Sequence, residues 1–224
     1  MTDHVDSPAD STRQQILRAA EREFAQRLYS AVSLDDIIAR AGVSKGAMYF
    51  HFQSKLALAM TIIDEQCEQV RVWFTQRLSH RLSGLESLVE TTYFLGTQDI
   101  RSVGIRAGLN LLEQIGRRDG VQAKVFMQWS PAITAMVQRG IADGDIIDNT
   151  RVDGVARLLI MIYMGLRQTA DLDSPREYFA DLESAWLLTL PGFMNPERLP
   201  YFVQFVKRCT SVAKNTAAPA TGAQ

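Results

Sequence analysis

Apolar residues recur every three or four positions along most of the chain, and this spacing places them on one face of an α-helix. In a first helix, predicted over about residues 11–28, Ile16, Ala20, Phe24 and Leu28 follow at intervals of four. No segment alternates β-branched and polar residues as a half-buried strand does. The pattern therefore predicts an all-α protein of about nine to ten helices.

Residues that begin and end helices divide the chain further. Ser33 and Asp36 have the spacing of a capping box at the start of a second helix, and Gly42 tolerates the positive φ of a helix end. Ser44 and Ser54 are the predicted caps of a short third helix and a long fourth helix. Glycine and proline breaks separate the remainder into predicted helices at about 85–101, 104–117, 121–142, 152–172, 176–190 and 196–213.

The short second and third helices have the dimensions of a helix-turn-helix, in which the second helix of the motif enters the major groove of DNA. If Met48 and Phe52 point into the helical core, Lys45, Gly46 and Tyr49 lie on the opposite, outward face. Lysine can donate to guanine, and a glycine lets the helix approach base edges closely. This face is therefore the predicted DNA-reading surface.

The net charge of the whole chain is −1 and its pI is about 6.3, so no overall positive field attracts it to nucleic acid. Residues 11–55 are different, because they hold seven basic and four acidic side chains. The local excess of positive charge supports DNA binding by the first three helices.

Residues 36–52, with the sequence DIIARAGVSKGAMYFHF, closely resemble the DNA-binding domain of the TetR family of bacterial repressors. The resemblance covers about residues 11–60. It implies an all-α homodimer in which helices 1–3 bind a double-stranded DNA operator. It also implies that a helical C-terminal domain binds a small-molecule effector and forms the dimer.

Matching positions imply base contacts at Lys45, Gly46 and Tyr49. The candidate DNA-binding residues, which include phosphate contacts and helix caps, are Ser33, Ser44, Lys45, Gly46, Ala47, Tyr49, His51 and Lys55. Two positions depart from the founding member of the family. Ala47 lacks a hydroxyl group for a phosphate, and Asp35 stands where that repressor has a cation that reads a base. The operator sequence therefore does not transfer.

A weaker resemblance, at Phe126–Trp129, Asp143–Asp145 and Trp186–Gly192, is to the γ-butyrolactone receptor branch of the family. In that branch a tryptophan on the equivalent helix faces the signalling lactone, which implies this role for Trp129. Chambers between helices are mostly apolar, so a small, largely apolar effector is expected. The candidate ligand-binding residues are Phe94, Gln98, Leu109, Leu112, Phe126, Trp129, Met161 and Met164.

The helices at about 152–172 and 176–190 form the dimer in proteins of this family. The apolar positions predicted for the dimer interface are Leu159, Tyr163, Leu182 and Trp186. The domain organisation expected from these inferences is a flexible arm at 1–9, a helix-turn-helix domain at 10–54, an effector-binding and dimerisation domain at 55–213 and a disordered tail at 214–224.

No catalytic or metal-binding pattern competes with this interpretation. The histidines His4, His51 and His80 lie on separate elements, and neither Cys67 nor Cys209 has a ligand at metal-binding spacing. Nucleophile-elbow and Walker A sequences are missing. We therefore expect no enzyme activity, no cofactor, no catalytic residue and no metal site. The N-terminus has no apolar signal segment, so a cytoplasmic protein that does not enter the membrane is expected.

The predicted function is a ligand-responsive repressor that binds a palindromic operator as a dimer and is released by its effector, with a γ-butyrolactone as one candidate. One alternative is a TetR-type repressor of efflux or lipid-metabolism genes that responds to drugs or acyl compounds. Its DNA-reading surface would be the same, and only its chamber would differ. A second alternative is a helical protein-interaction module that binds an acidic partner without reading DNA sequence.

Overall fold

A computed structural model describes residues 8–77, 82–117 and 120–217, and most of them are helical. The helices are α1 (Pro8–Gln26), α2 (Leu34–Ala41), α3 (Lys45–His51), α4 (Lys55–Arg77), α5 (Gly84–Arg101), α6 (Val103–Ile115), α7 (Val121–Ala142), α8 (Val152–Thr169), α9 (Pro175–Thr189) and α10 (Leu199–Ala217). Within these ranges no residue belongs to a β-strand, and Ile146 and Met194 form an isolated bridge. The prediction of an all-α fold is confirmed.

The capping residues predicted for the second and third helices form the expected hydrogen bonds at the ends of α2 and at the start of α3. The Ser33 hydroxyl accepts from the backbone N–H of Asp36 at 3.0 Å, and the Asp36 carboxylate accepts from the N–H of Ser33 at 2.9 Å. This is a reciprocal capping box with aspartate in place of the usual glutamate. Gly42 ends α2 at a φ of 66°, and the Ser44 hydroxyl caps α3 through the N–H of Ala47 at 3.1 Å.

Both ends of the chain are more helical than the sequence pattern indicates. Helix α1 begins at Pro8 and α10 continues to Ala217, so each enters the segment predicted as arm or tail. Proline suits the first turn of a helix, where its missing N–H has no partner to lose. The remaining residues of the predicted arm and tail, 1–7 and 218–224, lie outside the described part of the chain.

The chain divides into two compact units, and the first consists of Met1–Gln69 with Ser102–Ala123. It holds α1–α3, the first part of α4, and α6. Helix α6 packs along α1, where the Asn110 amide donates to the backbone oxygen of Phe24 at 3.2 Å. The predicted domain boundary after residue 54 therefore falls inside this unit, because sequence periodicity does not show which later helix covers α1.

The second unit consists of Val70–Arg101 with Lys124–Gln224. Its interior is built on large aromatic side chains, among which Trp129, Tyr178, Phe179 and Phe202 are fully buried. Helices α5, α9 and α10 pack against one another in this unit. Among the helices of the described ranges, none combines the length and apolar character that crossing a membrane requires.

Candidate functional site

Helix α3 has one buried face and one face open to solvent. Met48 and Phe52 are buried with Phe24 and Ile37, as the spacing of four predicts. On the opposite face Lys45 and Gly46 are exposed, and Tyr49 is 52% exposed. The fold therefore presents the first turn of α3 outward and leaves its side chains available to a partner.

The small residue at position 46 is not explained by packing inside the unit. A Cβ atom added to Gly46 would meet only the Ser44 hydroxyl, at 3.8 Å, which is ordinary contact. In contrast, a Cβ atom added to Gly108 would lie 2.6 Å from the side chain of Gln66. Gly108 is thus required by the fold, whereas Gly46 keeps the outer surface of α3 low enough for another molecule to approach.

Phe50 is a component of this face that the sequence reasoning missed. Its side chain is 81% exposed, one helical turn after Gly46, and its ring centre lies 5.0 Å from that of His51, with the two ring planes nearly perpendicular. An aromatic residue at this position is detectable in the sequence because it shares the face of Gly46. Exposed phenylalanine can contact thymine methyl groups.

Lys45 is paired with Asp35 from helix α2. The ammonium nitrogen and the carboxylate oxygen are 3.0 Å apart, and both side chains are mostly exposed. The hydrogen bond to Asp35 and the charge of this carboxylate raise the pKa of Lys45. The pair joins the two helices of the motif at the surface, so Asp35 competes with a DNA base for the charge of the lysine.

The ammonium group of Lys55 contacts backbone oxygens, whereas a side chain that binds phosphate was expected to point to solvent. Its ammonium group donates to the backbone oxygens of Tyr29 at 2.8 Å and Val32 at 2.7 Å, and lies 4.2 Å from the centre of the Tyr29 ring. Lys55 therefore holds the turn that leads into Ser33. The predicted contact with phosphate stays a prediction, and the structure adds a positioning role for this residue.

A carboxylate on α1 ties the first helix to the second. Glu23 is buried, and it accepts hydrogen bonds from Arg27 at 2.7 Å and from Arg40 on α2. The hydrogen bond from Arg27 and the one from Arg40 lower the pKa of Glu23, although burial opposes them. Arg27 also bonds the capping carboxylate Asp36 at 3.2 Å. Several cations of this unit thus stabilise the fold.

Two other arginines of α1 are not in contact with an acidic side chain of the described residues. Within the described part of the chain, Arg18 and Arg22 form no ion pair at 4 Å or less. Together with Arg40 they line a polar cleft of about 680 Å³ on the surface of the first unit. This cleft is a further basic surface of the helix-turn-helix unit.

A cavity lies in the second unit, between residues of α4, α5, α7 and α8. Its wall includes Phe74, Leu88, Trp129, Met136 and Met164, and it leaves about 30 Å³ of open space. Trp129 is buried, and its ring meets Phe74 edge to face at 5.8 Å. The open space is about that of one water molecule, so a larger molecule could enter only if the wall moved.

A polar cluster borders this cavity. Asp99 and Arg167 form an ion pair with 0% and 1% of their side chains exposed, at 2.5 Å between the guanidinium Nε and the carboxylate. Tyr163, which belongs to the cavity wall, donates to the same carboxylate at 3.2 Å. Burial and the charge of Asp99 raise the pKa of Tyr163 well above its ordinary value. The tyrosine therefore stays neutral and links the cavity to the ion pair.

Residues 16–60 match the family described as bacterial regulatory proteins, tetR family. The matched residues include α2 and α3, so the helix-turn-helix region of the chain is similar to this family. The chain is 28% identical over 196 residues to the A-factor receptor protein of Streptomyces griseus, and the match covers 84% of this chain and 66% of that protein. The chain thus spans slightly less than two thirds of the length of this relative.

Solved structures of TetR-family proteins have the same architecture over most of the chain. A gamma-butyrolactone receptor (ArpA-like protein) is 27% identical, covers 91% of this chain and 98% of its own, and has a TM-score of 0.73. The TetR family protein CprB of Streptomyces coelicolor, in complex with its biological operator sequence, is also 27% identical, covers 92% of this chain and 100% of its own, and has a TM-score of 0.73.

The cavity of the second unit contains only some of the predicted ligand-binding residues. Trp129 and Met164 belong to its wall. Phe126 lies behind Trp129, at 5.8 Å between ring centres, and half-buried Phe94 packs against the Arg77 guanidinium at 3.7 Å, so neither forms the wall. Half-buried Gln98 also lies outside it.

Three of the predicted ligand-binding residues lie away from this cavity. Leu109 and Leu112 are buried in the first unit, on α6, and therefore belong to the core around α1. Met161 points outward from α8 and is 54% exposed. Apolar residues on one helix face look alike in sequence whether they cover a cavity, a neighbouring helix or a second chain, so the pattern could not separate these cases.

The residues predicted for the dimer interface are buried within their own unit, so the structure places them among its core residues. Leu159 and Tyr163 line the cavity, and together with Leu182 and Trp186 they also surround a smaller void of about 10 Å³. Helix α8 is apolar on both sides, so its sequence left open which side faces inward. The structure turns the side of Met161 outward.

The prediction against enzyme activity agrees with the relatives, which are described as regulators and receptors. Over the ranges that the structure describes, no three His, Cys, Asp or Glu side chains come together as a metal site would require. The two candidate binding sites in the described residues are the outward face of α3 and the cavity beside Trp129.

Proposed function

We propose that this chain is a ligand-responsive transcriptional repressor that binds a palindromic operator as a homodimer and releases it when a small, largely apolar effector enters the second unit. The observation that carries the proposal is the orientation of α3, whose Met48 side is buried while its Lys45 and Tyr49 side is exposed. The repressor acts on DNA, so we place it in the cytoplasm. The operator complex of CprB supports this role by similarity.

At the DNA, the proposal assigns base contacts to Lys45 and Tyr49, with Gly46 allowing the approach. The serines at the helix starts accept a backbone N–H in their caps and keep a hydroxyl proton, so Ser33 and Ser44 can each donate to a phosphate. The remaining proposed contacts of the reading surface are Ala47, His51 and Lys55. A phosphate contact by Lys55 would use the third donor of its ammonium group.

In the second unit, the proposal assigns the effector to the cavity beside Trp129. A ligand-sized cavity measures about 300–1,000 Å³, so the present opening of about 30 Å³ has to expand. Flexible Met136 and Met164 in its wall make this expansion feasible. The similarity to a gamma-butyrolactone receptor supports a γ-butyrolactone as the effector of this chain.

Helix α4 provides the proposed route from effector to DNA. Its Phe74 stands in the cavity wall, and its Lys55 holds the turn before Ser33. A ligand that displaces Phe74 would therefore act on the helix whose first residue positions the DNA-binding motif. The coupling requires that the ligand bind more tightly to the DNA-free state, because equal affinity for both states shifts nothing.

For the homodimer, the proposal uses the outward faces of α8 and α9 in place of the buried residues discussed above. Met161 is 54% exposed on α8 and Leu188 is 82% exposed on α9. Apolar side chains of this size on exposed helices are suited to a symmetric contact with a second copy. A two-fold dimer would place one α3 helix on each half of a palindromic operator.

The test selects bound sites from random double-stranded DNA with the full-length protein, and then measures the release of the selected site in gel-shift titrations. We expect a palindrome with half-sites one helical turn apart or a multiple of it. A set of bound sites without a shared sequence would favour the protein-interaction alternative and contradict the proposal. Failure of lactones, drugs and acyl compounds to release a true operator would remove only the ligand response.

A further inference from the structure

The Thr91 hydroxyl stands out among the polar groups around the cavity. Thr91 belongs to the cavity wall on α5, is 4% exposed, and its hydroxyl oxygen has no hydrogen-bond partner in the described part of the chain. Buried hydroxyl groups are almost always bonded, because burying one without a partner is costly. A ligand with a complementary polar atom would provide the missing bond.

The neighbouring polar groups are already engaged. The Thr92 hydroxyl accepts from the indole N–H of Trp186 at 2.9 Å and donates to the backbone oxygen of Val89 at 2.8 Å. The Tyr163 hydroxyl donates to Asp99 at 3.2 Å. Threonine in a helix has two accessible χ1 rotamers, so rotation about one bond can turn the Thr91 hydroxyl toward the open space.

The charge of the wall restricts the ligand further. None of the described residues in the wall is an acid or a base that is charged at neutral pH. The buried ion pair beside the wall joins Asp99 to Arg167, so each of these charges already has a counter-charge. A carboxylate brought into this cavity would lose its hydration without gaining a counter-charge, so an ionised effector is disfavoured.

We propose that Thr91 is the specificity-determining residue for the effector, and that its hydroxyl donates a hydrogen bond to the carbonyl oxygen of a neutral, mostly apolar lactone or ester. This inference rests on the proposed function, since it names the chemical class of the effector. It separates lactones from fatty acids, which the cavity rejects because of their charge, and from hydrocarbons and ethers of the same shape, which leave the hydroxyl without a carbonyl partner.

The test measures binding to the full-length protein by titration calorimetry with three matched probes. These are γ-octalactone, 2-butyltetrahydrofuran, which lacks the carbonyl, and 4-hydroxyoctanoate, which is the hydrolysed and ionised form of the lactone. We expect the lactone to bind most tightly, the ether more weakly and the carboxylate without detectable heat. The variant Thr91→Val keeps the shape of the side chain and should weaken lactone binding by about five- to ten-fold, which is typical of one neutral hydrogen bond.

Two further variants separate the hydrogen bond from packing. Thr91→Ser keeps the hydroxyl and should keep most of the lactone affinity. Ser87 is the matched control, because its hydroxyl is also buried on α5 without a partner among the described residues, but it is not part of the cavity wall. Ser87→Ala should leave lactone binding unchanged. The ether should bind the wild type and Thr91→Val equally.

The proposal is overturned if Thr91→Val binds the lactone as the wild type does, if Ser87→Ala weakens it as much, or if the lactone does not bind the wild type. The operator titration keeps this result apart from the proposed function. A wild-type protein that selects a palindrome and releases it with another ligand class contradicts the Thr91 assignment alone. A protein that selects no DNA sequence contradicts the proposed function, whatever the calorimetry shows.

Discussion

In the first unit, Arg27 and Lys45 remain near solvent although each is paired, and they keep 43% and 68% of their side-chain surface exposed. In the second unit, Asp99 and Arg167 pair with almost no exposure. Exposed pairs contribute little and exchange partners easily, whereas a buried pair is strongly destabilised when one member is lost. The first unit therefore has charged groups that a ligand can reach, whereas the buried pair of the second unit has none.

This difference indicates which kind of molecule each unit can bind. The pair of Lys45 and Asp35 can open at small cost, so the lysine is available to a base on DNA. The Asp99–Arg167 pair is satisfied inside an apolar core and cannot exchange either partner for a ligand without exposing the other charge. A polyanion is therefore suited to the first unit and a neutral molecule to the second.

The largest expected effect comes from breaking the buried pair. Arg167→Met keeps much of the side-chain volume but leaves the Asp99 carboxylate without its cation, so the free energy of unfolding should fall by about 3–5 kcal/mol. Urea unfolding at pH 7 measures the change. Arg13→Met is the matched control, because the pair of Arg13 with Glu65 is exposed and its loss should cost at most about 1 kcal/mol.

Equal losses in Arg167→Met and Arg13→Met would contradict the comparison between the units. The double variant Asp99→Leu with Arg167→Met sharpens it, because removal of both charges should recover much of the stability that Arg167→Met loses. If the double variant were less stable than Arg167→Met, the unpaired charge of Asp99 would not be the cause of the lost stability.

The contrast between the units also explains what the sequence could predict. The start of α2, the end of α2 and the start of α3 depend on residues within four positions, namely Ser33, Asp36, Gly42 and Ser44, and the structure has them as predicted. The outward face of α3 follows from the same local register. The packing of α6 on α1 depends on residues about 85 positions apart, such as Asn110 and Phe24. The spacing of apolar residues did not predict this packing.

The cavity and the dimer face depend on such distant contacts throughout. On α8, Leu159 and Tyr163 turn inward while Met161 turns outward, although all three are apolar or aromatic. A sequence pattern shows that the helix is apolar and does not show which neighbour covers each side.

An intermediate effect is expected at the DNA-reading surface. Lys45→Ala should weaken binding to the selected operator by about ten- to a hundred-fold and relax discrimination at one base pair, because a lysine contact to guanine is lost. Gel-shift titrations at fixed salt with the operator and its single-base variants measure this. Lys207→Ala removes the same charge from an exposed position on α10 of the second unit and should change operator affinity little.

A substitution of Asp35 tests the other side chain of the Lys45–Asp35 pair. Asp35→Asn removes the anion that pairs with Lys45 on the same surface, so operator binding should become several-fold tighter. A tighter complex without loss of discrimination would show that the carboxylate only competes for the lysine. Weaker binding in Asp35→Asn would mean that Asp35 orients Lys45 for its base, and the picture of an easily exchanged surface pair would be wrong for this residue.

The smallest expected effect concerns Glu23, which lies between the two extremes because the carboxylate is buried while Arg27 and Arg40 are partly exposed. Hydrogen bonds from these arginines lower the pKa of Glu23 in the folded state. The ionised Glu23 therefore contributes its full stabilisation of the folded state at pH values above its ordinary pKa of 4.5. This contribution is lost as the pH falls through the lowered pKa of the folded state. Solvent screening at the arginines limits it to about 1 kcal/mol.

The variant Glu23→Gln makes this contribution measurable. At pH 7 and at pH 5.5 the wild type should be more stable than Glu23→Gln in urea by the same amount, and the difference should shrink at pH 3.5. Comparison of the two proteins at each pH cancels the titration of Asp36, whose pKa is also lowered, by its hydrogen bonds with Ser33. A difference that stayed constant down to pH 3.5 would mean that Glu23 acts by packing, and the charge network between α1 and α2 would then count for as little as the other exposed pairs of the first unit.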